Sequence, residues 1–124
     1  MATGAVKTNI ANWFEIPVKD LDRASTFYEK VFDVKLSLEG HVAFFPYTKE
    51  GPGAEGSLTM FESYEPSHSG TLVYFGVDDI NEILRRVNTN GAKTLLPKTK
   101  IGISGFIAHF EDCEGNRVGL HAMQ

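Results

Sequence analysis

The sequence predicts an α+β fold built from two β-α-β-β-β modules. Three observations carry that reading. At Asp20 the apolar spacing changes from every second residue to every third or fourth, the mark of a strand handing over to a helix. The same order of elements then recurs in the second half, where Val77-Asp78-Asp79-Ile80 superposes on Val18-Lys19-Asp20-Leu21. Finally, 124 residues with 42% hydrophobic and 23% charged side chains suit one compact domain and argue against disorder or a membrane-embedded chain. The modules fall at about residues 10–64 and 70–123.

The first strand lies within residues 12–20, with Phe14, Ile16 and Val18 on one face and Trp13, Glu15 and Pro17 on the other. Asp20 is placed to cap a helix whose apolar stripe is Leu21, Ala24, Phe27, Tyr28, Val31 and Phe32. Three short strands follow at 34–38, 42–47 and 58–61, separated by Gly40 and by the glycine-rich segment 49–56. In the second half, residues 71–77 alternate as a strand with Val73, Phe75 and Val77 on one side and Leu72 and Tyr74 on the other. Asp79 with Glu82 has the spacing of a capping box, the helix stripe is Ile80, Ile83, Leu84 and Val87, and Asn90-Gly91 ends it. Strands at 93–96, 106–110 and 117–121 complete the chain. If the turn 112–116 closes a hairpin with one extra glycine, Phe110 opposes Val118 and Ala108 opposes Leu120 as an apolar face. The other face then pairs Glu111 with Arg117, His109 with Gly119 and Ile107 with His121.

Charge and cysteine usage narrow the function classes. A net charge of -4 opposes binding to a phosphate backbone, so no nucleic-acid partner is expected. No apolar run is long enough to cross a bilayer, and no membrane partner is expected either. The lone Cys113 cannot pair within the chain, and with no apolar leader segment the expected location is cytoplasmic.

Residues 18–28, the closing run 110–118, and the segments 12–17 and 105–110 resemble the vicinal oxygen chelate superfamily, which includes glyoxalase I, bleomycin-resistance proteins and extradiol dioxygenases. The similarity covers essentially the whole chain and is closest to proteins related to lactoylglutathione lyase. It implies a glyoxalase-like cup of curved mixed sheet with helices outside and a ligand cavity inside, a small organic molecule as partner, and a homodimer. It also implies that metal-dependent members carry one ligand each on the first, fourth, fifth and eighth strands. Those positions here are Trp13, Thr59 or Met60, Leu72 and Gly119. An indole, an aliphatic chain and a hydrogen atom cannot ligate a divalent cation, so glyoxalase I chemistry is not carried over.

A shifted constellation remains: Glu15, His109 and His121, all expected on the cup side. Four readings stay open, the plainest being that these are satisfied polar groups linking the two sheets. The trio could hold a divalent metal at a shifted site; no cofactor is otherwise indicated. Without metal, Glu15 or His121 would move a proton while His109 polarises a carbonyl, in lyase- or isomerase-like chemistry. Alternatively Trp13 and Tyr74 stack a flat ligand, with Leu72 and Arg117 beside them, in a protein that sequesters an antibiotic or metabolite.

Other motifs carry less. Gly51, Gly53 and Gly56 satisfy G-x-G-x-x-G, but a strand follows where a phosphate site needs a helix N-terminus, so a mobile loop at the cavity mouth is expected. Residues 98–105 read as a connector or lid, and Ser104 lacks the surroundings of a nucleophile elbow. Cys113 sits between Asp112 and Glu114, neighbours that disfavour a thiolate. His41 and His68 are expected at the surface, and Glu111 with Arg117 reads as a cross-strand ion pair.

Overall fold

The computed structural model describes residues 9–124. Its elements run β1 (Trp13–Pro17), α1 (Leu21–Phe32), β2 (Ser37–Glu39), β3 (Val42–Phe44), β4 (Glu55–Thr59), β5 (Tyr74–Gly76), α2 (Ile80–Thr89), β6 (Lys93–Lys100), a single 3-10 turn (Gly102–Ser104), β7 (Phe106–Glu111) and β8 (Arg117–Ala122). Two four-stranded sheets result, ordered β1-β4-β3-β2 and β5-β8-β7-β6, each joining its first and last strands in parallel. The expected α+β architecture of two equivalent modules is therefore present. No helix among the described residues is long and apolar enough to cross a membrane.

Both helices form for the reasons legible in their sequences. The Asp20 carboxylate accepts the Arg23 N–H at 3.0 Å and the Asp79 carboxylate accepts the Glu82 N–H at 3.2 Å, satisfying donors that a helix start leaves open. The reciprocal half of the capping box is not made. Glu82 instead receives Arg85 and Arg86 across one turn, which pulls its carboxyl down to about 2. At the far end Asn90 keeps a negative φ and only Gly91 enters the left-handed region. The stripes Leu21, Ala24, Phe27, Tyr28, Val31 and Ile80, Ile83, Leu84, Val87 are buried against the sheets.

The β7–β8 register matches the hairpin expectation residue for residue, from Phe106↔Ala122 to Glu111↔Arg117. Asp112 N–H donates to the Asn116 carbonyl at 2.9 Å across the turn, where Gly115 adopts φ 99°. Ala108, Phe110, Val118 and Leu120 are consequently buried beneath the helices.

Several strand bounds differ from expectation. β2 begins at Ser37 rather than Val34, because the preceding chain folds back on α1: Val34 N–H donates to the Glu29 carbonyl and Leu36 N–H to its carboxylate at 2.9 Å. β3 stops at Phe44, ahead of Pro46, which has no N–H to give a ladder. β4 spans Glu55–Thr59 instead of 58–61, so part of the expected glycine loop is strand. Gly56 is required there: the Phe14 ring from the paired strand lies where a Cβ would stand, 2.2 Å from it. β5 shortens to three residues at an open edge, and Leu72 lies before it. β6 runs on to Lys100, through much of the expected connector, tolerating Pro97 by register shifts along an edge strand.

The modules are joined by the β7–β8 turn. Tyr28 of α1 donates its hydroxyl to the buried Asp112 carboxylate at 2.7 Å, and Asn116 donates to the Pro17 carbonyl at 2.8 Å. Glu114 is fully buried at its side chain and accepts from the Lys19 and Asp20 N–H groups and from Arg23. Beside this clasp, Phe75 of the second module inserts among Phe14, Tyr28, Phe32 and Phe45 of the first, its ring 4.7 Å from that of Phe32.

Replacing Tyr28 by Phe is expected to lower unfolding free energy by about 1.5–3 kcal/mol, the range for a hydrogen bond to a charged acceptor, read as an earlier urea midpoint. Burial, with Asp112 second, holds the Tyr28 phenol well above its ordinary 10.0. A raised folded value means the contribution is complete below about pH 10 and is lost as pH rises toward the folded value. Stability of the wild type should thus fall more steeply than that of Tyr28→Phe in alkaline urea titrations.

Candidate functional site

Pairing the two modules strand for strand gives each cup-side residue a counterpart. On β1 and β4, Glu15 neighbours Ser57, and Ser57 neighbours Phe44 of β3. On β5 and β8, Tyr74 neighbours Gly119, and Gly119 neighbours His109 of β7. Glu15 thus corresponds to Tyr74, Ser57 to Gly119, Phe44 to His109 and Thr59 to His121. Sequence reasoning missed Ser57. The β4 counterpart of Gly119 is this residue, rather than Thr59 or Met60.

These registers test whether a metal fits the superfamily's usual positions, and the residues present do not suit one. Ser57 and Thr59 are buried and spend their hydroxyls on each other at 2.8 Å. At Gly119 the Tyr74 ring lies directly on the backbone, 2.5 Å from where a Cβ would be. Among the described residues, no three His, Cys, Asp or Glu side chains are grouped as metal ligands. The shifted set Glu15, His109 and His121 is not drawn together as such a group: strand parity puts the three on the cup side, but each is engaged at a different place.

Glu15 accepts the Tyr64 hydroxyl at 2.6 Å and, more loosely, that of Thr59 at 3.4 Å. Its negative charge raises the Tyr64 phenol, first through that hydrogen bond. It lines a hollow of about 200 Å³ at the module junction, with Thr71, Val73, Asn116 and Arg117. His121 lies in a second hollow with Tyr74, Ile107 and Ser104, and its Nε2 is 2.6 Å from the Ser104 carbonyl. A carbonyl only accepts, so Nε2 is the donor in this bond. His109 sits between, with Nε2 2.8 Å from the Tyr74 hydroxyl and Nδ1 2.7 Å from Arg117 Nη1. Tyr64 and the Ser104 carbonyl, which hold two of the three residues, carried no sequence signal, since both lie in irregular segments.

The expected ion pair between Glu111 and Arg117 is not made, although the two face each other across the ladder. Glu111 instead meets His68 at 2.6 Å and Lys93 at 3.8 Å, while Arg117 turns to His109. Cys113 behaves as expected: burial, then Asp112 and Glu114, pushes its thiol up to about 12.

A cavity of about 780 Å³ opens along the seam between the edge strands β1 and β5. Trp13 and Tyr74 flank it, 43% and 39% exposed, with Leu72 beside them and Phe14, Phe45 and Phe75 deeper. Trp13 is braced edge-on by Phe44, ring centroids 6.1 Å apart. Gly53 of the glycine-rich segment lines the same space.

Two modules of this topology around a central cleft define a class, the glyoxalase-like proteins. Residues 10–120 match the profile of the Glyoxalase/Bleomycin resistance protein/Dioxygenase superfamily, and the chain belongs to it. A glyoxylase-like domain-containing protein from Didymella fabae is 32% identical over 112 residues, 82% of this chain and 84% of its own length. A crystal structure of a glyoxalase/bleomycin resistance protein from Albidiferax ferrireducens superposes with a TM-score of 0.74 at 17% identity, covering 92% of this chain and 99% of that one. A glyoxalase/bleomycin resistance protein/dioxygenase family enzyme from Burkholderia phytofirmans gives 0.73 at 18%, covering 92% and 100%. A glyoxalase I mutant from Zea mays gives 0.65 at 24%, over 92% of this chain but 46% of that one. These structures share the fold.

Burial, with Arg117 second, lowers the His109 pKa below its ordinary 6.5. For a base with a depressed folded value, stability is complete above about pH 6.5 and declines as pH falls through the folded value. Titration of the ring protons by NMR should place the His109 midpoint below 6.5, and Arg117→Met should move it upward.

Proposed function

We propose that this protein binds a flat, largely apolar organic molecule in the cleft between β1 and β5, independently of the metal chemistry of glyoxalase I. The observation that carries the reading is the cavity of about 780 Å³ whose mouth is flanked by Trp13 and Tyr74 and whose depth is phenylalanine-lined. That volume lies within the roughly 300–1,000 Å³ usual for small-molecule sites. Aromatic walls favour a planar ligand by stacking, worth about 0.5–1.5 kcal/mol per ring pair beyond burial. Sequestration of an antibiotic or metabolite is the role this cleft supports on the binding reading.

A lyase- or isomerase-like reaction is the second reading, favoured by the hollow that Tyr74 shares with His121. There a phenol and an imidazole adjoin one space, the minimum for moving a proton next to a carbonyl. Glu15 lies in a separate hollow, which makes it the weaker of the two proton-transfer candidates. A homodimer is also part of the proposal: β1, β2, β5 and β6 each have one unpaired edge, and Leu38, Phe61 and Met123 are exposed. The partly buried free thiol of Cys113 suits a reducing, cytoplasmic setting.

Trp13 is the only tryptophan, so its fluorescence reports the cleft directly. Titration with 1-acetylnaphthalene is expected to quench it saturably, and Trp13→Ala, followed calorimetrically, should weaken binding by about three- to tenfold. Absence of saturable quenching, or an unchanged dissociation constant in the mutant, would remove the cleft from consideration. For the second reading, turnover of an aromatic α-hydroxyketone should vanish in His121→Ala while ligand affinity is kept; equal turnover in the two proteins would reject that role.

A further inference from the structure

We propose that Arg117 locks His109 as the neutral Nε2–H tautomer, so that the Tyr74 hydroxyl is left as a hydrogen-bond donor and the cleft selects ligands bearing an acceptor oxygen. This deepens the binding reading above and rests on it. The argument starts from a group that cannot change role. An arginine guanidinium has only N–H donors and is not deprotonated in proteins. With Arg117 Nη1 at 2.7 Å, His109 Nδ1 must therefore accept and carries no proton. A neutral imidazole has one N–H, here at Nε2, and that nitrogen lies 2.8 Å from the Tyr74 oxygen. The Tyr74 oxygen is consequently the acceptor in this bond. Among the described residues it has no other polar partner, so its own proton remains to be donated.

Had the chain used the opposite tautomer, Nδ1–H would face an N–H of Arg117, two donors meeting at hydrogen-bond distance. Arg117 is free to hold this position because Glu111, its partner across the ladder, is taken by His68 and Lys93. Among the described residues Arg117 makes no salt bridge, so its charge acts on His109 undivided. Tyr74 in turn is fixed against Gly119, where any side chain would displace its ring. Tyr74 lines both the large cleft and the His121 hollow and is 39% exposed, and its hydroxyl is carried across β8 to His109 on the cup face of the same sheet. A carbonyl, carboxylate or ether oxygen on a planar body satisfies that proton; an all-carbon ligand of the same shape leaves it unmet in a half-apolar site. His109 is thus a positioning residue acting through Tyr74.

Two independent measurements test this. Long-range 1H–15N spectra at neutral pH should show His109 Nδ1 with the shift of an unprotonated nitrogen and Nε2 with that of a protonated one; the reverse pattern overturns the tautomer assignment. In parallel, affinities are compared for 1-acetylnaphthalene and 1-ethylnaphthalene, which replaces the carbonyl with a methylene and adds no donor or acceptor. The ketone is expected to bind about three- to tenfold tighter, the size of one net hydrogen bond. Tyr74→Phe should abolish that ratio, with the ketone and 1-ethylnaphthalene then binding equally. His109→Gln, whose amide can still donate to Tyr74, should retain part of the ratio, and His109→Leu should not. If both probes bind but with equal affinity in the wild type, the donor assignment fails and the cleft reading survives. If neither binds, the cleft reading fails, and with it the ligand preference inferred here.

Discussion

The buried carboxylate of Asp112 is the point on which the rest of the architecture depends. It accepts the Tyr28 hydroxyl from the first module and, within its own turn, the N–H groups of Glu114 and Asn116 and the Asn116 amide. One charged group thereby shapes the β7–β8 turn and anchors it to α1. Once the turn is shaped, Glu114 reaches the N-terminus of α1, where a negative charge meets open N–H groups, and Asn116 reaches the end of β1. The spacing of the two modules, and with it the width of the seam between β1 and β5, follows from these contacts together with the Phe75 cluster. The Asp112 contacts lie on the helix side of the sheets, while the Phe75 cluster also forms the depth of the cleft.

Much of this could be read from the chain because binary patterns report faces. The alternation in residues 106–121 placed Phe110, Val118, Ala108 and Leu120 on the core side, and the extra glycine at 115 fixed the register of their hairpin. Helix caps were equally legible, since Asp20 and Asp79 act on N–H groups three residues away in their own sequence. What could not be read are contacts between segments distant in sequence. The start of β4 depends on Phe14 needing the space above Gly56, a requirement invisible in residues 49–56 alone. The partner of Arg117 depends on His68 capturing Glu111 from a linker without periodicity.

The candidate site shows the same limit in sharper form. Period-two alternation correctly reports that Glu15, His109 and His121 share a side of their sheets, yet says nothing of the distance between one sheet and the other. Glu15 is drawn to Tyr64, and His121 to the Ser104 carbonyl, by segments whose paths no local rule predicts. At the positions the resemblance assigns to metal ligands, residue chemistry alone speaks against ligation at Trp13 and Gly119, whereas the β4 position, Ser57, needed the strand register. Membership of a superfamily hosting several chemistries supplies the scaffold, while the reaction has to be argued from these particular side chains.

The counterpart pairs across the two modules have one more consequence. Where the first module presents a carboxylate, a phenyl ring and a hydroxyl, at Glu15, Phe44 and Thr59, the second presents a phenol and two imidazoles, at Tyr74, His109 and His121. A duplicated scaffold whose halves were still chemically identical would offer a guest two equivalent berths and no way to tell its head from its tail. Divergence of the halves has broken that degeneracy. The cup faces of the two modules are thus chemically unlike, and under the proposed binding reading a molecule lying across both would meet different surroundings at its two ends.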